Sequence, residues 1–311
     1  MTQIGLTCGG VWWEPDLFQE IERLGFDSIW TGEHIVFHRP ILDAISVVAG
    51  LAAVTERVEI GPAAIMVPLR HPTLLAKELA SIDIMSNGRL IVTAGVGGEY
   101  PKEFEACGVP HPRRGRRTTE MVEIMRKYWT EERFSYHGEL LKLDNVWMEP
   151  KPVSPGGPRI WMAGRSNAAI ERAVRHGDGY MPYMFTPEQC ADSMRRIRET
   201  SERLEQPLRP NFTLSAFIYT SLHDDREYAR RLAVEDLGWR YNQPFDRLVD
   251  KYCVYGTAEQ VNEQLQAFVD AGVTHFVLAP VQEKGGEREV VARYAEDVLG
   301  PMKASAAVKA A

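Results

Sequence analysis

Short apolar runs alternate along the chain with longer segments whose apolar residues recur every three or four positions. The runs predict buried strands, and segments such as Leu17, Ile21 and Leu24 followed by Gly25 predict amphipathic helices. The predicted strands are Ile4–Gly10, Ser28–His34, Val58–Val67, Arg89–Gly97, Arg159–Gly164, Gly179–Met184, Phe212–Leu222 and Val273–Pro280. Strands that alternate with helices form parallel sheets. The predicted class is therefore α/β, and a single (β/α)8 TIM barrel is favoured over an open doubly wound sheet.

The alternation is interrupted by two predicted insertions, one after the fourth strand and one in the region 132–158. Within the second, Phe134–Pro158 is rich in Pro and Gly and has the alternation of a hairpin. A helical region from Asp224 to Gly272 is broken near "NQPF" and "YGT". We predict one barrel domain over residues 1–302 and a flexible tail over 303–311.

Composition and charge narrow the class of protein further. The chain has 311 residues, 44% of them hydrophobic, and a net charge of -7, which disfavours binding to nucleic acid or anionic membranes. The first residues resemble no signal peptide, and no run reaches the roughly 20 apolar residues that span a bilayer. The four cysteines are scattered without metal-ligand spacing: Cys8, Cys107, Cys190 and Cys253. We predict a cytoplasmic protein without a metal, nucleic-acid or membrane partner.

The fifth strand ends in the turn "AGRS", which precedes a predicted helix. Gly164 permits a close backbone approach, and Ser166 can cap the helix. The free N–H groups of the helix start, together with Arg165, also favour an anion such as phosphate. A simple cap with a solvated arginine remains the alternative interpretation of this turn.

Other unusual residues also fall at the carboxyl ends of strands, where barrel enzymes build their sites. Glu33 and His34 end the second strand, and a histidine there can exchange a proton or serve only as a structural hydrogen-bonding group. Gly97 leaves room for a flat ligand, while Trp12 and Trp13 line the mouth or pack beside it. An isomerase or aldolase is disfavoured because no lysine ends a strand, whereas a non-catalytic flavin-binding protein stays open.

Five segments in order resemble a known family. They are "GFDSIWTGEH", "HPTLLAKELASIDIMSNGRL", "GVGGEYPKEFEACGV", "RRGRRTTEMVEIMRKYWTEERFSYHGELLKLDNVWMEPKPV" and "IWMAGRSNAAIERAVRHGDGYMP". The series resembles the bacterial luciferase-like monooxygenase superfamily, and within it most closely the coenzyme F420-dependent oxidoreductases. The resemblance is strong from Ile4 to Pro182 and weaker beyond.

This resemblance implies a barrel that holds F420, or alternatively FMN, across the strand ends. With F420 the enzyme would transfer a hydride to or from a small organic substrate. With FMN it would be a two-component monooxygenase that uses reduced flavin and dioxygen and needs a reductase partner. The implied catalytic residues are His34 and Glu99. The implied cofactor-binding residues are Gly9, Glu33, His34, Ala64, Ile65, Gly97, Ala163, Gly164, Arg165 and Ser166.

The resemblance carries further expectations. A non-proline cis peptide is expected near Ala64–Met66, and a homodimer is expected because relatives often form one. Some F420 enzymes place an aromatic residue where this chain has His38, and some FMN enzymes place an arginine where it has Gly97. The "RRGRR" run, residues 113–117, is expected to have a structural or rim role or to neutralise the acidic tail of F420. The segments Phe134–Pro158 and Glu99–Pro112 are expected to cover the pocket.

Overall fold

The strands of the protein form one large parallel sheet and one small hairpin. The computed structural model describes residues 2–7, 13–281 and 285–304, so the predicted site residue Gly9 and Trp12 lie outside the described residues. The strands are β1 (Gln3–Thr7), β2 (Ser28–Thr31), β3 (Glu59–Pro62), β4 (Ile65–Met66), β5 (Ile91–Gly95), β6 (Phe134–His137), β7 (Lys142–Val146), β8 (Arg159–Ala163), β9 (Gly179–Met181), β10 (Thr213–Leu222), β11 (Cys253–Gly256) and β12 (His275–Pro280).

The large sheet closes into a barrel. In the described part of the chain its strand order is β3, β2, β1, β12, β10, β9, β8, β5, β4. β4 follows β3 across Ala63 and Ala64 and pairs with β5, while a bridge between Ile60 and Leu90 joins the two ends of the sheet. β3 and β4 together form the predicted third strand. All eight predicted strands therefore exist, and the TIM-barrel prediction is confirmed.

Helices surround the barrel. Within the described ranges they are α1 (Pro15–Arg23), α2 (Ala44–Val54), α3 (Pro72–Met85), α4 (Lys102–Ala106), α5 (Arg114–Thr130), α6 (Asn167–His176), α7 (Pro187–Arg203), α8 (Arg226–Tyr241), α9 (Asp246–Tyr252), α10 (Ala258–Asp270) and α11 (Glu287–Tyr294). Caps define their ends: Thr186 and Gln189, for example, bond reciprocally at the start of α7. None of the helices in these ranges has the length and apolar character that would span a bilayer.

Two large aromatic side chains fill the inside of the barrel. Trp30 and Trp161 are fully buried and stacked, with ring centroids 5.2 Å apart. Gly61 provides the space, because a Cβ there would lie 2.8 Å from the Trp30 ring. Met181 and Phe217 pack against this pair. The tryptophans therefore form a rigid layer beneath the carboxyl ends of the strands.

A buried histidine beside this layer is neutral, and its hydrogen bonds define its tautomer. His275 Nδ1 donates to Gln3 Oε1 at 3.1 Å, because an amide oxygen only accepts. In the neutral ring Nε2 therefore accepts from the Ser28 hydroxyl at 2.7 Å, and Ser28 Oγ accepts from Trp30 Nε1, also at 2.7 Å. Burial, with a smaller contribution from Arg159, lowers the pKa of His275 to about 3.

This histidine predicts a loss of stability in mild acid. An unfolded histidine binds a proton near its ordinary pKa of 6.5, whereas His275 in the fold does not until about 3, so stability is complete above 6.5 and falls as the pH drops towards 3. We expect a loss of about 2 kcal/mol in the free energy of unfolding between roughly pH 6.5 and 4.5. Urea unfolding should show this fall in the wild type and in His137→Gln, an exposed control. An equal fall in His275→Gln would contradict the assignment.

The predicted hairpin region packs on the outside of the barrel. β6 and β7 form an antiparallel pair, which confirms the hairpin alternation. The buried Glu120 of α5 accepts backbone N–H bonds from Glu139, Leu140 and Leu141, each at 3.0 Å. The segment is thus fixed along α5.

The predicted organisation was wrong at the break near "YGT", which contains β11, a short strand that directly follows α9 and pairs with the carboxyl-terminal half of β10. At the start of the predicted tail, Lys303 is helical and its Nζ donates to Gly25 O at 2.6 Å. Residues 305–311 lie outside the described residues.

Candidate cofactor-binding site

A cavity of about 560 Å³ opens at the carboxyl ends of the barrel strands. This volume suits a cofactor or a small ligand. Among the described cofactor-binding candidates, only Ile65 does not line it, since that side chain is fully buried in the hydrophobic core. Trp13 packs on Phe18 instead, with ring centroids 4.9 Å apart.

The junction between β3 and β4 forms one wall of the cavity. The peptide bond Ala63–Ala64 is cis, one residue before the predicted position, and both alanines line the cavity. Ala63 N donates to Thr31 O at 2.7 Å, and Met66 N donates to Glu33 Oε2 at 2.5 Å. The last residue of β2 and Glu33, two residues beyond it, therefore hold the junction on both sides.

The carboxylate of Glu33 forms a buried ion pair with Arg70. Its side chain is buried, and Arg70 donates to its two carboxylate oxygens at 2.6 and 3.1 Å. Burial raises the pKa of Glu33, and the charge and hydrogen bonds of Arg70 oppose that shift. Glu33 lines the cavity, but its hydrogen bonds go to Arg70 and to the β4 backbone. Its clearest role is to shape the wall.

His34 is oriented by a carboxylate that sequence reasoning missed. Its Nδ1 lies 3.2 Å from Glu103 Oε1, and the same oxygen accepts the Ile35 N–H at 2.7 Å. Because that oxygen is an acceptor, Nδ1 carries the proton and Nε2 is left with a lone pair. Glu103 is fully buried on α4, whereas the predicted Glu99 is exposed at the rim of the cavity.

An aromatic ring also fixes His34. Phe37 stacks on the imidazole with ring centroids 3.7 Å apart and planes 4° from parallel. His38 lies outside the cavity lining, and its Nε2 is 3.4 Å from Trp239 O. The aromatic residue that packs on His34 is therefore Phe37, one position before His38.

The "AGRS" turn is shaped for a close approach. Ser166 Oγ accepts the Ala169 N–H at 3.2 Å, so Ser166 caps α6 as predicted. Gly164 has φ +136°, and a Cβ there would lie 2.9 Å from Ala169 Cβ. Tyr180 OH donates to Gly164 O at 2.6 Å, and burial raises the pKa of Tyr180 to about 12, so the donor stays protonated.

Three arginines surround this turn in the cavity lining. Arg172 of α6 is 8% exposed, its Nε has no partner, and it makes no ion pair with any described residue. Burial lowers the pKa of Arg172, because removal from water disfavours a charged group that no carboxylate compensates. Arg114 Nε donates to Gly97 O at 3.1 Å, and Arg165 lies at the turn itself. Arginines grouped in this way at a helix start can hold an anion.

A family model for luciferase-like monooxygenases matches residues 14–275. The chain belongs to the luciferase-like monooxygenase family. This membership confirms the resemblance seen in the sequence. The family includes relatives of this chain that depend on F420 and relatives that depend on a flavin.

One curated relative is the oxygenase component of a flavin-dependent trigonelline monooxygenase from Acinetobacter baylyi. It is 29% identical over 237 residues, and the match covers 73% of this chain and 63% of that protein. The chain therefore spans less than two thirds of that relative. An F420-dependent glucose-6-phosphate dehydrogenase of Kineococcus radiotolerans is 26% identical and covers 86% and 87%. The fold is also that of a solved F420-dependent secondary alcohol dehydrogenase in complex with an F420-acetone adduct. The two structures superpose with a TM-score of 0.83 at 19% sequence identity, over 96% of this chain and 98% of that one.

The arginines of the basic run, residues 113–117, divide between two roles. Arg113 and Arg116 pair with Glu139 on the outer hairpin, and Arg117 Nε donates to Pro68 O at 3.0 Å. Only Arg114 of the run lines the cavity. The predicted structural role is confirmed for Arg113, Arg116 and Arg117.

The predicted cover of the cavity is only partly present. Phe134–Pro158 contributes no residue to the cavity lining, because it is fixed along α5. That part of the prediction was wrong. The segment Glu99–Pro112 does reach the cavity through Glu99 and Glu103.

Proposed function

We propose that this chain is a coenzyme F420-dependent oxidoreductase that acts on a small alcohol or carbonyl compound. The observation that carries the proposal is the His34–Glu103 pair at the cavity wall. When bound, F420 supplies hydride transfer to or from carbon. Oxidation of an alcohol also requires a base for the hydroxyl proton, and reduction of a carbonyl requires an acid.

His34 meets this requirement at Nε2. Glu103 accepts the hydrogen bond from Nδ1–H, so Nε2 takes the hydroxyl proton of an alcohol, and the carboxylate stabilises the imidazolium that forms. Phe37 keeps the ring plane fixed during the transfer. In the reverse direction the same imidazolium returns the proton to the carbonyl oxygen.

The Ala163–Ser166 turn and Arg172 fit a cofactor phosphate. Arg172 is a buried cation without an ion-pair partner among the described residues, and the first-turn N–H groups of Asn167 and Ala168 precede the helical hydrogen bonds. Arg114 and Arg165 add charge for an acidic cofactor tail. Ala64 and Gly97, both without bulky side chains, line the space beside a planar ring.

The second candidate is an FMN-dependent monooxygenase with a separate reductase. The observation in its favour is Arg114, whose guanidinium lies against Gly97 O. Gly97 has no side chain of its own to bind phosphate, but Arg114 brings a cation to the same strand end. In this case the substrate is oxygenated, and the reaction consumes dioxygen.

Cofactor titration distinguishes the two candidates. We expect F420 to bind tightly and FMN weakly, measured by quenching of cofactor fluorescence on adding the purified protein. The F420-loaded protein should then reduce or oxidise one compound of an alcohol and ketone panel without oxygen uptake. Tight FMN binding with oxygen uptake supports the second candidate instead. Binding of neither cofactor would contradict both.

A further inference from the structure

A separate cation lies across the cavity from the phosphate-binding turn. Arg39 lines the cavity from the loop between β2 and α2. In the strand order, β8, which leads into the Ala163–Ser166 turn, lies between β9 and β5. The strands β2 and β10 flank the pair β1 and β12, which lies on the other side of the barrel. Arg39 lies near Tyr219 of β10 and is therefore on the side opposite the Ala163–Ser166 turn.

Arg39 forms no ion pair with any residue in the described ranges. Its Nε is buried without a hydrogen bond. Its guanidinium lies 4.1 Å from the ring centroid of Trp239. Burial first, and then the neighbouring charge of Arg240, lower the pKa of Arg39. This environment disfavours the cation unless an anion joins it.

The nearby carboxylates do not provide that anion. Asp236 is paired with Arg240, and its interaction with Arg39 is only a longer-range attraction. Glu99 lines the same cavity but is exposed at the rim and makes no ion pair with Arg39. Solvent screens an exposed charge of this kind.

Aromatic side chains line the cavity next to Arg39. Tyr183 lies beside Phe217 and Tyr241, with ring centroids 5.8 and 6.4 Å away. Tyr219 and Tyr241 share a hydrogen bond of 2.6 Å between their hydroxyl oxygens. Burial raises the pKa of both phenols, that of Tyr219 to about 12, so they stay neutral donors. Such rings pack on flat apolar ligands.

We propose that Arg39 binds the carboxylate of an aromatic substrate whose ring packs on Tyr183, Phe217 and Tyr241. The inference rests on the proposed function, since it assigns a substrate class to the same cavity. The guanidinium fork matches a carboxylate, and the aromatic wall matches the ring. The reacting group of the substrate would then face His34 rather than Arg39.

The test compares carboxylates with their neutral amides. Benzoate and 2-naphthoate, with benzamide and 2-naphthamide, are titrated by calorimetry into the protein with and without bound cofactor. We expect the carboxylates to bind wild type at least about tenfold more tightly than the amides, because a hydrogen bond to a charged group contributes that much. Arg39→Gln should abolish the preference, and Arg39→Lys should keep part of it.

A matched control removes an equivalent arginine elsewhere. Arg133 lies 3.9 Å from the ring centroid of Trp147 on the outer hairpin, so Arg133→Gln removes the same charge and the same type of ring contact outside the cavity. It should leave the carboxylate preference unchanged. No preference in wild type, or an equal preference in Arg39→Gln, would overturn the inference. If the carboxylate preference depends on Arg39 but the protein binds neither cofactor, the anion site is supported and the proposed redox function is refuted.

Discussion

His34→Asn lowers turnover by about 10²- to 10⁴-fold, the usual contribution of a positioned acid or base. Affinity for the cofactor stays near that of wild type, because the expected phosphate contacts lie at the other wall of the cavity. Asparagine cannot take up the hydroxyl proton that His34 Nε2 receives in the proposed reaction. Turnover is measured with the panel compound that supports activity, and cofactor affinity is measured in parallel.

Two further variants separate proton transfer from a general disturbance. Glu103→Gln keeps the shape of the side chain but weakens the hydrogen bond to Nδ1, so turnover falls by less than in His34→Asn and its pH profile shifts. His137→Asn changes an exposed histidine on the outer hairpin and leaves turnover unchanged. Full turnover in His34→Asn would show that the histidine has only a structural role.

Arg70→Met lowers the free energy of unfolding by about 3 kcal/mol, because it leaves a buried carboxylate without its cation. Glu33 then keeps only the Met66 N–H, and the contact of Arg70 with Asp43 at 3.2 Å is also lost. Urea unfolding at neutral pH measures the change. The double variant Glu33→Gln, Arg70→Met should recover part of the loss, since the uncompensated charge is gone.

The matched control is an exposed arginine that also forms ion pairs. Arg195 on α7 pairs with Asp192 and Glu199, and both partners are solvent-exposed to a large extent. Arg195→Met should change stability little, since solvent screens such pairs. If Arg70→Met and Arg195→Met unfold at the same urea concentration, Glu33 does not depend on its ion pair.

The strands of the barrel could be predicted because each is a bounded apolar run beside a periodic helix. β11 could not, since Cys253–Gly256 follows α9 without a turn residue that would mark its start. Apolar content alone does not separate such a strand from the helix before it.

The site was predicted where it lies at strand ends and missed where it depends on packing. His34 and the Ala163–Ser166 turn follow apolar runs directly, so their position in a barrel is implied. Glu103 lies four residues beyond Glu99 on a short helix, and only the fold shows which carboxylate reaches His34. Arg172 lies three residues after the buried Ala169 on α6, so the two share one helix face. This spacing alone indicates only weakly that the Arg172 side chain faces the barrel.

The affinity of the protein for F420 and for the same deazaflavin without its phosphate tests the central claim most directly. We predict that Arg172→Gln weakens F420 binding about tenfold or more, leaves binding of the phosphate-free compound unchanged, and does not destabilise the fold, because it removes a buried unpaired charge. Arg175→Gln, on the exposed face of the same helix, should bind both compounds as wild type does. Equal binding of F420 by wild type and Arg172→Gln would contradict the assignment of the Ala163–Ser166 turn as the phosphate site.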